Sequence, residues 1–81
     1  PSLIERIARV IAGRILSINA DGDDPSAADR VDAIWRDYRG DAVSVLRTMG
    51  EPDAAMAETG DVAVWERMIE AALDQAEARI A

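Results

Sequence analysis

The chain contains no cysteine, no histidine and no phenylalanine, and all nine of its basic residues are arginine. Without cysteine there is no disulfide, and the redox compartment stays open. Without cysteine and histidine, zinc, haem and thiolate sites lose their usual ligands, and Ser/His or Cys/His nucleophilic catalysis has no base. The only aromatics are Trp35, Trp65 and Tyr38. A core must therefore come from Ile, Leu, Val, Met and many alanines, a composition suited to close helix packing. Long apolar runs are also missing. Arg6, Arg9 and Arg14 interrupt the N-terminal apolar stretch too often for a membrane span, and residues 2–18 do not read as a secretion signal. The expectation is a cytoplasmic chain with no membrane contact.

What is present is acid. Sixteen carboxylates against nine arginines give a formal net charge of −7. The first twenty residues carry Glu5 against three arginines, +2; residues 21–41 carry seven aspartates against three arginines, −4; residues 42–81 carry eight acids against three, −5. Such a chain repels phosphate, which argues against direct nucleic-acid binding and favours a basic protein surface as partner. At 81 residues it is one domain near the lower size limit for a self-sufficient core.

Apolar spacing predicts an all-α fold: one compact bundle of four helices, over about 3–20, 26–39, 42–49 and 62–80. A short extra turn near 53–58 precedes the last of these. Ser2 and Glu5 form a capping box for the first helix, whose stripe is Ile4, Ile7, Ala8, Ile11, Ile15 and Ile18, widened by Leu3, Val10 and Leu16. Gly13 is costly in a helix interior unless another helix crosses there, and Gly22 is placed to end the helix. Asp24-Pro25 and Ser26 offer starts for the second helix, with Val31, Ile34, Trp35 and Tyr38 inward. Gly40 followed by Asp41 reads as a stop and a fresh cap; one helix kinked at Gly40 is the alternative. Gly50-Glu51-Pro52 is a break, the turn after it brings Met56 inward, and Asp61 caps the last helix. That helix carries the stripe Trp65, Met68, Ile69, Ala72, Leu73, Ala76 and Ile80.

Residues 19–32, NADGDDPSAADRVD, invite a calcium reading, but no register supplies it. A loop starting at Asn19 puts Asp24 where glycine is required and Arg30 at the twelfth position. Starting at Asp21 puts Pro25 and Ser26 at positions five and six. Helix punctuation explains the glycine, proline and serine. Arg39-Gly40-Asp41 spells an adhesion tripeptide, a match too short to carry weight. The pairs Asp29/Asp32 and Glu66/Glu70 have no nucleophile, phosphate loop or metal set beside them and read as solvated helix faces. Trp35 and Trp65 lie on apolar stripes, so core packing is the default; either is also a candidate apolar interface anchor.

From Ile34 to Leu73 the chain shows Trp35-Arg36-Asp37-Tyr38, the helix Ala42–Arg47, Glu51-Pro52 followed by Met56, and Trp65 followed by Met68-Ile69. In these features it resembles a group of small helical proteins encoded by bacterial chromosomes, prophages and phages. It departs from their pattern at Gly40, where a helix former is expected. The group carries no assigned activity or catalytic residues; the resemblance implies a small protein of mobile elements. The resulting expectation is a non-enzymatic, cofactor-free module that binds a basic protein. In its concrete form it inhibits a host nucleic-acid-binding defence complex, as an anti-CRISPR acting by DNA mimicry. The expected contacts are Asp21, Asp23, Asp24, Asp29, Asp32 and Asp37. The alternative is a structural subunit, self-associating as a homodimer or built into a virion through its apolar stripes.

Overall fold

The computed structural model describes residues 1–19 and 27–80. Its elements are α1 (Leu3–Asn19), α2 (Ala27–Ile34), a 3₁₀ turn (Trp35–Tyr38), α3 (Arg39–Met49), α4 (Ala54–Thr59) and α5 (Val62–Ile80). The fold is all-α, and no strand occurs among the described residues. Backbone contacts divide the chain into two units, residues 1–42 and 43–81, the division falling inside α3.

In the first unit, the Ser2 hydroxyl accepts the Glu5 amide at 3.1 Å, which satisfies one of the free donors at the start of α1. The α1 helix packs on α2 and on the 3₁₀ turn. The buried row is Ile4, Ala8, Ala12 and Leu16, one residue per turn. Ile7, Ile11 and Ile15 lie beside it, half-buried, while Val10 is 65% exposed and does not widen the core. Small residues in that row let the helices come close. A Cβ placed on Gly13 would sit 3.7 Å from Cγ2 of Val31, an ordinary packing distance, so α2 does cross α1 there.

The expected stop at Gly40 does not occur. The α2 helix gives way earlier, at Ile34 (φ −119°, ψ −8°), and the chain tightens into the 3₁₀ turn. Arg39 resumes α-helical angles (φ −61°, ψ −41°), and its amide donates to the Arg36 carbonyl. Gly40 and Asp41 then lie in the first turn of α3. Gly40 has no left-handed φ, which is what a glycine stop would need. Burial of Trp35, 3% exposed in a turn packed on α1, accounts for the break where local glycine chemistry does not.

In the second unit, α3 closes at Met49, with the Gly50 amide donating to Leu46 at 3.0 Å and to Arg47 at 3.2 Å. The turn after Pro52 is a six-residue helix, capped by Asp53, whose carboxylate accepts the Met56 amide at 2.9 Å. After Gly60, in extended backbone, Asp61 caps α5 by accepting from the Val64 amide at 3.2 Å. Among the described side chains of this unit, Leu46 and Ile69 are buried. Met56 is not inward: it is 44% exposed, and Met68, expected on the core stripe of α5, is 62% exposed.

Candidate functional site: an acidic surface and an apolar groove

Of the six aspartates expected to meet a partner, Asp21, Asp23 and Asp24 lie outside the described residues. The first residue of the helix expected over 26–39 and the Gly22 stop fall there too. Asp29, Asp32 and Asp37 are exposed. Asp32 is engaged within the unit: its carboxylate accepts directly from the Arg9 guanidinium, which also donates from Nε to Glu5 at 3.1 Å. Asp32 first, and Glu5 second, hold the Arg9 guanidinium above the usual arginine range.

Around Trp35 the first unit gathers cations. The guanidinium carbons of Arg36, Arg9 and Arg39 stand 4.6, 5.3 and 5.5 Å from the ring centroid. Arginine spreads readily over an indole face, and its apolar stem helps to cover the ring. Trp35 is therefore a core residue under an arginine roof. Among the described side chains of residues 1–42, five acids meet six arginines. The acid surplus of the sequence does not reside in the described part of this unit.

It resides in the second. Among the described side chains of residues 43–75, Glu51, Asp53, Glu58, Asp61, Glu66, Glu70 and Asp74 face only Arg47 and Arg67, and all seven acids are exposed. The same unit holds an open groove of about 360 Å³ between α4 and α5, lined chiefly by Pro52, Met56, Val64, Trp65 and Met68, with Asp61 the one of these acids in its lining. Trp65 is half-buried in it. Its indole Nε1 donates to the Met49 carbonyl at 2.6 Å, so the ring's one polar atom is already satisfied.

No protein-family model, curated protein or solved structure matches the chain.

Among the described residues no charged or polar side chain is buried, and no three acids are grouped to hold a metal ion. None of the helices is long and apolar enough to cross a membrane, among the described residues. The sequence offers Trp65 as a core residue by default and as a candidate anchor, and the structure leaves it half-buried. The groove was not legible, because helical spacing assigns Met56 and Met68 to the core. One signal was available. All three methionines fall between residues 49 and 68, and residues 51–61 carry four acids and no base.

Proposed function

We propose that the chain is a non-catalytic binding module for a basic protein surface. The observation that supports it is the concentration of seven exposed acids, against two arginines, on the described side chains of residues 43–75. Charge of one sign on one surface steers an oppositely charged partner and rejects phosphate-bearing ones. The more concrete form is the inhibitor of a nucleic-acid-binding complex suggested by the mobile-element resemblance. There, helix-borne carboxylates occupy an arginine-lined channel in place of phosphates.

The test is affinity capture from a lysate of the source organism, at low and raised salt, with the wild-type chain and a Glu58→Arg, Glu66→Arg, Glu70→Arg variant. Basic proteins should be retained, released by salt, and lost with the variant. For the inhibitor form, the captured protein should lose DNA or RNA binding as the wild-type chain is added. Identical capture by the variant at every salt concentration would sink the reading.

A self-associating subunit is the second reading, favoured by the exposed apolar groove. Sedimentation at high protein concentration distinguishes it: a strict monomer excludes the homodimer.

A further inference from the structure

We infer that the groove between α4 and α5 receives the apolar face of a basic amphipathic helix. The inference deepens the reading above and rests on it: the partner is taken to be basic, and the groove is where it anchors.

The groove's chemistry selects the occupant. All three methionines of the chain belong to this unit, and none is buried: Met49, Met56 and Met68 are 38%, 44% and 62% exposed. Methionine is normally absorbed by cores. Left at a surface, its unbranched thioether adapts to side chains of different shape, as helix-binding grooves require. Trp65 supplies a rigid aromatic wall. Because its Nε1 is already bonded to the Met49 carbonyl, an occupant need bring no acceptor to this wall, and an aliphatic side chain suffices.

Charge then decides which apolar occupant fits. Glu51, Asp53, Glu58 and Asp61 are all exposed, with no base between them in the chain, and Asp61 lines the groove itself. A second copy of this chain would bring the same acids against them. Nucleic acid and anionic lipid would bring phosphates. A helix with leucine-like residues on one face and arginine or lysine on its flanks satisfies both the apolar wall and the acid edge. The volume, about 360 Å³, suits anchors one helical turn apart more than a whole domain.

The probes are Trp-free synthetic peptides of about 18 residues, long enough to become helical on a surface. One has leucine along one helical face and lysine along the other; the second keeps the leucines but replaces lysine with glutamine; the third scrambles the first. Binding to the full chain is followed by calorimetry and by the methyl resonances of the three methionines. The Leu/Lys peptide should bind and shift the Met56 and Met68 methyls. The glutamine and scrambled peptides should bind about tenfold or more weakly, as should the Leu/Lys peptide to Met68→Glu.

Binding of the Leu/Lys peptide without those methyl shifts, or unchanged affinity in Met68→Glu, overturns the groove while leaving the basic-partner reading intact. Equal affinity for the glutamine peptide overturns the charge selection. No binding of any peptide overturns the groove inference, and the capture experiment then decides the basic-partner reading separately. Methyl shifts that follow the protein's own concentration, without peptide, assign the groove to a second copy and overturn the proposal. The methyl readout uses the wild-type fold, so it stands even if Met68→Glu is unstable.

Discussion

The indole of Trp65, early in α5, donates to the main-chain carbonyl of Met49, the last residue of α3, at 2.6 Å. A helix's final carbonyls have no partner within the helix, and here a side chain sixteen residues away supplies one. The bond thus joins helix termination to the wall of the groove. Trp65→Phe keeps most of the apolar wall but removes the donor. It should lower stability by about 1 kcal/mol, read as a lower urea midpoint with unchanged slope. An unchanged midpoint would mean that water replaces the bond without loss.

Two helical glycines have room for a side chain. A Cβ on Gly40 meets nothing within 4 Å, and one on Gly13 makes ordinary contact with Val31. Alanine at either position should stabilise by about 0.5–1 kcal/mol, through the lost flexibility of the unfolded chain. Gly50 is the contrast: its Cβ would lie 3.2 Å from the Arg47 carbonyl oxygen, so Gly50→Ala should bring no gain. Thermal melts of the three variants separate these outcomes. A destabilised Gly40→Ala would restore the stop-and-cap reading of that glycine.

The second unit relies on two aspartate caps. Removing either carboxylate, in Asp53→Ala or Asp61→Ala, frees an amide at a helix start and should cost about 1 kcal/mol. Asparagine, which also accepts there, should restore most of it. Far-UV circular dichroism during urea unfolding measures both. Equal loss in the alanine and asparagine variants would point to the charge rather than the hydrogen bond.

Asp32→Arg sets a cation against Arg9, which Asp32 and Glu5 now hold. The variant should be less stable than wild type, and the difference should shrink as salt is raised to about 0.5 M, because the pair is exposed and screened. The pH sign follows from the raised Arg9 pKa. Its contribution is complete below the ordinary arginine range and is lost only as pH climbs through the folded value. Variation between pH 6 and 9 therefore has to come from other groups. If Asp32→Arg leaves stability unchanged while abolishing capture of a basic protein, Asp32 acts on the partner and not on Arg9.

Local chemistry was legible in the sequence. The capping roles of Ser2 and Asp61 and the break at Gly50-Glu51-Pro52 depend on neighbours within a few residues, and each appears as expected. Tertiary choices were less so. Ala12 is fully buried although nothing in its size announced it; it lies where helices approach closely, and isoleucines beside it stay half-buried. The helix junction moved from Gly40 to Ile34 because burial of an indole outweighed the local signal of a glycine. Met56 and Met68 illustrate a more general limit. Helical spacing shows that residues share a face, but the same spacing serves a face turned to a core and one turned to an open groove. Acid counts likewise drew attention to residues 19–32. Interleaved arginines balance Asp29, Asp32 and Asp37 in the first unit, and the second has few to do so.

Each unit also carries a single indole, Trp35 in residues 1–42 and Trp65 in residues 43–81. One is almost wholly shielded beneath guanidinium groups and the other borders solvent, so acrylamide should quench them unequally. Single-tryptophan variants consequently give each half its own optical reporter. Coincident fluorescence transitions in the two would mean that the chain melts as one cooperative body, and separated transitions would mean two.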